Sequence, residues 1–558
     1  MKKSLQYLMS LVIILSIVLA GCTPAATEAP APAVEEEATV EEAAPVEEVA
    51  PTEEEEPAEE PTVVPTEIPM EGGIQRGGTL TWARGAVPEN LDMAWSTANQ
   101  DFWIMVNIIE PLVMLDDAGK DLEPGLAESW ELSDDQLTYT FHLRDAKFNN
   151  GADLTADDVV FSIDRVRTEG SNTWLFENIA STEAVDAKTF KMTLLEPSPA
   201  ALALMSLIVV GIYNKTDFES LGVDEFMKDP VTTGPFMVKE WKVGEVFVME
   251  PNPYYWKLGE DGKALPYLDE IIVTQVPEDT TKVLQVQSET ILGTDGVPFS
   301  MIESLKSDAV AEVTLWPATQ SYYIFINHTQ PPFDDVNIRL ALNYAVDREA
   351  LVQVATSGVA TPAKSFFSPG SACWTGDYGF DYDPDKAREL IAQSKYADGE
   401  IPVIHIDIPA GRLIGIDIAT TLQDMWSQVG FIVETTQLEG PVVSESFSQQ
   451  TFTAIAGYQW TDDVLDPEQQ TAFFMIDPAL YSSWTDENAL ALADAARKEF
   501  DPVARCDKYK ELQKIFNEQG VAVILFNNPF NTFINKKVNN FYQIPLGWLK
   551  FGKVWLSE

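Results

Sequence analysis

From residue 76 onward the sequence predicts a mixed α/β fold, on two observations. Short apolar runs alternate with period two, and amphipathic segments at helical spacing are interleaved with them. The composition supports this, since 45% of the 558 residues are apolar and 14 Trp and 28 Phe are ample for a large core.

Strands are expected near 79–84, 137–144, 235–250, 269–276, 321–327, 402–408 and 521–526. The clearest runs from Leu137 to Arg144, where Leu137, Tyr139, Phe141 and Leu143 fall on one face of a half-buried strand. Thr155-Ala-Asp-Asp158 has the form of a capping box, with Val159, Ile163 and Val166 following at helical spacing. Asp383-Pro384 supplies an N-cap and a proline at the first helical position; Ala387, Leu390 and Ile391 then mark a buried stripe. Further helices are expected at about 336–346, 347–357, 414–429, 486–499 and 503–518. The sequence has no internal repeat and no second membrane segment.

The formal net charge is −52, which excludes nucleic acid as a partner because phosphate binding needs basic patches. The charge is uneven. Residues 1–22 carry +2, residues 23–75 hold 16 Glu with no Lys or Arg, and the rest carries −38. Lys2 and Lys3 precede a thirteen-residue apolar stretch, Leu8 to Ala20. That is short of the roughly twenty residues that span a bilayer, and the pattern is that of a secretory signal. Leu19-Ala20-Gly21-Cys22 resembles the bacterial lipobox, which implies cleavage before Cys22 and its lipidation. Residues 23–75, built from Ala, Pro, Glu, Val and Thr with nine prolines, cannot bury enough apolar surface to fold and read as a solvated tether.

A catalytic inventory comes up short. The three histidines are His142 on the polar face of the 137–144 strand, His328 in a loop after a strand, and His405 within an apolar strand. No zinc-type His or Cys spacing, Gly-x-Ser-x-Gly elbow or phosphate-cradling Gly loop occurs, so neither an enzyme, a metal site nor a cofactor is expected. Cys373 and Cys506 are an even pair in an oxidising compartment; a bridge between them would close a long loop, and two buried free thiols are the alternative.

Read as ordered blocks, the chain resembles the family 5 solute-binding proteins of ABC importers, the group that contains the dipeptide- and oligopeptide-binding proteins. Ile109-Glu-Pro-Leu-Val113, Pro124 to Trp130, Leu137 to Arg144 and Thr155 to Ser162 look like a first region. Thr233-Gly-Pro-Phe236 leading to Asn252-Pro-Tyr-Tyr-Trp256, then Pro332 to Val336 with Arg339 to Arg348, continue the order. Asp383 to Ala387 and Leu422 to Gly430 complete it.

This resemblance implies a two-lobed, periplasmic-binding-protein-like α/β fold (type II, cluster C) with an extra subdomain in lobe one. Lobe one is expected at about 76–317 completed by 530–558, with the inserted subdomain near 108–231, and lobe two at about 318–529. A ligand would be enclosed between the lobes by hinge closure. The expected partners are a peptide, the ABC permease and ATPase, and the membrane through the Cys22 anchor, with the protein itself a monomer.

Two positions match the ligand contacts of the dipeptide-binding members. Trp460-Thr-Asp-Asp463-Val-Leu-Asp466-Pro467 resembles their segment in which the first Asp holds the peptide α-ammonium, which assigns that role to Asp463. Pro409-Ala-Gly-Arg412 resembles the segment whose Arg grips the peptide carboxylate, which assigns that role to Arg412. Trp460 is expected either to line the pocket or to pack in the core, and Asp466-Pro467 to shape the loop and cap the next helix. The same fold carries oligosaccharides, nickel chelates and opines, and the Trp content makes an oligosaccharide the first alternative. A lipid-anchored sensory or interaction module is the alternative of another class.

Overall fold

The computed structural model describes residues 73–471 and 482–558. The signal segment, the lipidation position Cys22 and all but the last three residues of the acidic tether lie outside the described residues.

A twelve-stranded sheet runs through the whole folded part. Its order is Val433–Leu438, Ile404–Pro409, Ala454–Ile455, Ala311–Ile326, Val523–Asn535, Gly293–Asp295, Thr79–Arg84, Glu270–Gln275, Val246–Pro251 and Phe236–Lys242. Thr361–Pro362 and Gln459–Thr461 pair onto its two central strands. Parallel pairs (Thr79–Arg84 with Glu270–Gln275, Ile404–Pro409 with Val433–Leu438) mix with antiparallel ones, and helices cover the faces.

The two central strands are the longest, Ala311–Ile326 and Val523–Asn535, and they pair antiparallel along their lengths. Their register breaks between Trp316 and Gln320, where Pro317 lies opposite the stretch holding Pro529. Proline has no N–H to give a ladder, so the sheet loses hydrogen bonds at this point and can bend there. On one side, Trp82, Phe141, Phe247 and Phe530 belong to one apolar cluster; on the other, Ile324, Leu342, Trp426 and Phe526 belong to another.

A separate four-stranded antiparallel sheet, Ala127–Leu132, Thr138–Leu143, Thr189–Leu194 and Ile179–Asp186, lies within the expected inserted region and carries the helix Ala156–Thr168. The capping box forms: the Asp158 carboxylate accepts the Thr155 backbone N–H at 3.0 Å. At Asp383 the carboxylate accepts the Lys386 N–H at 2.8 Å, with Pro384 opening the helix Pro384–Gln393.

Three expectations change in detail. The single strand near 235–250 is a hairpin, Phe236–Lys242 and Val246–Pro251, turned at Gly244, whose φ of +77° suits a residue without Cβ. The strands near 321–327 and 521–526 extend to 16 and 13 residues. Cys373 and Cys506 form a disulfide, with Cα atoms 4.9 Å apart, tying the loop before Asp377 to the helix Pro502–Gln519.

His142 is half-exposed on its strand, and His405 is exposed with Nδ1 3.3 Å from Glu434 Oε2. His328 is half-buried, its Nε2 2.9 Å from the Val521 carbonyl, and desolvation pushes its pKa down to about 3. Among the described residues no group of three or more His, Cys, Asp or Glu side chains could hold a metal.

Candidate functional site

The segment predicted to hold the ligand begins on the short strand Gln459–Thr461, whose Trp460 is opposite Ser321. Strand alternation turns Trp460 inward: it is 8% exposed, packs with Tyr323 and Phe325, and donates Nε1–H to Asp462 Oδ1 at 2.7 Å. Of the two expectations for Trp460, the core position is the one observed. Asp462 is equally internal. Its Oδ2 accepts the Ser371 hydroxyl at 2.5 Å, its N–H donates to Thr319 Oγ1 at 3.0 Å, and burial raises its pKa to about 7.

After Asp462 the chain leaves the apolar cluster of Tyr323 and Phe325. Val464 is 2% exposed within the apolar cluster of Trp82 and Phe141, and Leu465 packs on Leu115, Ile544, Leu546 and Trp548. Asp466 brings it back: its two oxygens accept Arg505 Nη1 and Nη2 at 2.6 and 2.9 Å, and Oδ1 also accepts the Glu468 N–H at 2.9 Å. The loop is thus pinned on both sides, with Asp463 between the pins. Asp466 acts as the expected shaper of the loop, through a buried bidentate ion pair as well as through its capping bond.

Asp463 is half-buried and clamped by one side chain. Its N–H donates to Gln469 Oε1 at 3.0 Å while Gln469 Nε2 donates to Asp463 Oδ2 at 2.8 Å. Among the described residues no cationic side chain is within ion-pair distance of it, and burial raises its pKa to about 6. Asp463 lines a small cleft with room for about one water molecule. The other lining residues are Phe102, Asn172, Leu175, Leu207, Ile208, Val209 and Trp548.

Arg412 occupies the N-cap position of the helix Leu413–Ser427. It is exposed, its guanidinium lies 4.9 Å from the centre of the Tyr458 ring, and its contacts to Gly457 O and Gln459 Oε1 are long, at 3.5 Å. No carboxylate among the described residues pairs with it. Asp463 and Arg412 therefore flank the same short strand, Arg412 at its start and Asp463 beyond its end, and neither has a counter-ion among the described residues.

Elsewhere, Glu196, just past the strand Thr189–Leu194, reaches Lys498 Nζ at 2.9 Å and Arg497 at 3.9 Å at the end of the helix Glu487–Arg497. Neither this contact, Gln469, nor the apolar lining is predicted from sequence. Each unites residues hundreds of positions apart or depends on a loop geometry without period. The one local signal was the i, i+6 placement of Gln469 after Asp463, which has no meaning until the loop is folded.

Residues 121–479 match the model of the bacterial extracellular solute-binding proteins, family 5. The glutathione-binding protein GsiB of Salmonella paratyphi A is 30% identical over 441 residues, covering 75% of this chain and 83% of that protein. The Helicobacter pylori periplasmic binding protein DppA, solved with the peptide STSA, superposes with a TM-score of 0.76 at 24% identity, covering 87% of this chain and 99% of that one. The Bacillus subtilis oligopeptide-binding protein AppA, solved with a nonapeptide, gives 0.74 at 22% identity, with 87% and 100% covered. The two structural likenesses establish the two-lobed fold.

Proposed function

Because this chain belongs to the bacterial extracellular solute-binding proteins of family 5, and so is a binding protein of a transporter and not an enzyme, we propose that its solute is a di- or oligopeptide. The peptide is enclosed between lobes 76–317 with 530–558 and 318–529, which move about the register break at Trp316 to Gln320, and is then delivered to a membrane permease and its ATPase. Asp463 holds the α-ammonium and Arg412 the α-carboxylate. The observation that supports this reading is the carboxylate of Asp463, which Gln469 holds while no cationic side chain among the described residues lies within ion-pair distance of it. A half-buried charge without a partner is costly in the empty protein and is compensated when a ligand supplies the opposite charge.

The ligands of these relatives agree in class: glutathione, a tetrapeptide and a nonapeptide all carry a free amine and a carboxylate. An oligosaccharide reading has less support, since Trp460 is turned into the core and Trp548 is the one tryptophan lining the cleft beside Asp463. The protein acts as a monomer tethered to the outer face of the membrane through lipidated Cys22 and the acidic segment 23–75. Intact-mass analysis of gently purified and then denatured protein tests the ligand class, with peptides expected and sugars alone excluding it. Cys22→Ala tests the anchor: release from the membrane is expected, and unaltered association counts against lipidation.

A further inference from the structure

Two side chains support the segment that carries Asp463, and both stand next to the Cys373–Cys506 disulfide. On the near side, Ser371 Oγ donates to Asp462 Oδ2 at 2.5 Å, and Ser371 is two residues before Cys373. On the far side, Arg505 Nη1 and Nη2 donate to the two oxygens of Asp466 at 2.6 and 2.9 Å, and Arg505 immediately precedes Cys506. Asp462 and Asp466 bracket Asp463, so one covalent bond joins the supports of both.

The two supports are not equally secure. Arg505 is buried on the helix Pro502–Gln519, and its Nε also donates to the Ala496 carbonyl at 3.2 Å. Ser371 lies within residues 363–376, which form neither helix nor strand. The start of that stretch is anchored by Phe366, whose ring stacks on Phe516 with centroids 4.3 Å apart, and by Ser365 Oγ, which donates to Gln513 Oε1 at 2.6 Å. Past Ser371, the disulfide and a 2.9 Å hydrogen bond from Gln513 Nε2 to the Cys373 carbonyl tie it to the same helix. A neutral hydrogen bond shifts a local equilibrium by only about fivefold, whereas the S–S bond keeps Cys373 in place whenever that hydrogen bond opens.

From this juxtaposition we infer that the Cys373–Cys506 disulfide is a positioning element for ligand capture. It holds Ser371 against Asp462 beside the Arg505–Asp466 pair, which keeps the backbone at Asp463 where Gln469 clamps it; opening the bond lowers affinity in a protein that stays folded. The inference rests on Asp463 as the residue that holds the peptide ammonium, and adds a dependence on redox state. Opening by a dithiol is a balanced exchange: the S–S bond takes up two electrons and two protons to give two thiols, and the dithiol becomes a cyclic disulfide. Both cysteines are half-buried, not enclosed.

Hydrogen exchange read by mass spectrometry on the ligand-free full chain, with and without dithiothreitol, tests the positioning directly at a temperature where circular dichroism shows both forms folded. Reduction is expected to speed exchange over 462–469 about fivefold or more, and to leave the paired central strands over 320–326 and 523–527 unchanged. Exchange over 462–469 that does not change, or that rises only in step with the central strands, overturns the inference. Calorimetry with alanine peptides of two to five residues should show affinity about three- to tenfold weaker in the reduced form. A loosened loop with unchanged affinity overturns the role in capture while leaving the peptide reading intact. No binding of any peptide by the oxidised protein overturns the peptide reading, and the exchange result still decides whether the disulfide holds the loop. Ser371→Ala, with the disulfide intact, should loosen 462–469, and reduction should then add little; an effect of reduction as large as in the wild type overturns the route through Ser371. The wild-type series stands independently of whether that variant folds.

Discussion

Asp463→Asn removes one charge while keeping the size of the side chain and an oxygen to accept from Gln469 Nε2. A peptide ammonium would then be enclosed without its counter-charge, a loss of about 2–5 kcal/mol, or roughly 30-fold to a few thousand-fold in affinity. The pH dependence gives an independent check. Burial holds the Asp463 carboxyl at about 6. Capture of an ammonium needs the ionised form, so affinity should be level above pH 7 and fall about tenfold by pH 5. The Asn variant should show no such slope. Stability moves the other way. A carboxyl whose folded pKa lies above its unfolded value binds its proton more tightly in the folded state. Its contribution is greatest below about pH 4 and is lost as pH rises through 6. The ligand-free Asn variant should therefore be more stable than the wild type at pH 8, by about 1–2 kcal/mol once partial solvent exposure is discounted. Titration calorimetry at pH 5 and 8, with thermal denaturation of the ligand-free forms, reads both. An Asn variant that binds peptide normally, or that is less stable at pH 8, would refute the assignment of Asp463 as a ligand-facing charge.

Gln469→Ala should weaken peptide binding by about 1 kcal/mol by releasing the Asp463 carboxylate, while Gln469→Glu should weaken it more through repulsion; calorimetry measures both. Arg412→Gln should weaken free-acid peptides but leave C-terminally amidated ones nearly unchanged, and equal losses for both would remove the carboxylate role. Arg505→Ala leaves Asp466 buried and unpaired, with an expected cost of about 3–5 kcal/mol in denaturant unfolding. Reduction of the Cys373–Cys506 bond, or Cys506→Ser, should lower stability by about 2–5 kcal/mol, seen as a drop in Tm with dithiothreitol that the Ser variant no longer shows.

Much of the fold is legible in local pattern. The strand Thr79–Arg84 falls where it is expected, and the helix Pro384–Gln393 starts at the Asp383-Pro384 signal its sequence carries. The long central strands are only half legible. Val523 to Phe526 reads as an apolar strand, but Asn527, Asn528, Asn531 and Asn535 read as loop. They are buried strand residues because partners across the sheet hold them, as Ser321 Oγ donates to Asn527 Oδ1 at 2.7 Å. The hairpin at Gly244 and the disulfide were equally out of reach, since a single glycine and a spacing of 133 residues fix no geometry.

At the site, the Trp460 to Pro467 segment could be picked out by resemblance, and its residue types could be matched to an ammonium and a carboxylate. The resemblance also placed the ammonium role on Asp463, but why that carboxylate and not its neighbours is not readable from residue type. Asp462, Asp463 and Asp466 are chemically alike, and the folded chain distinguishes them: Ser371 and Trp460 occupy the first, Arg505 neutralises the last, and Asp463 is held by Gln469 with no cation within ion-pair distance among the described residues. Periodicity, capping and composition are properties of neighbours along the chain, so the sequence determines elements, their order and the acidic surface. A free charge, a lining and a contact such as Glu196 with Lys498 are properties of residues brought together from distant segments. Their meaning depends on which groups remain unpaired once the core has closed, and only the tertiary structure decides that.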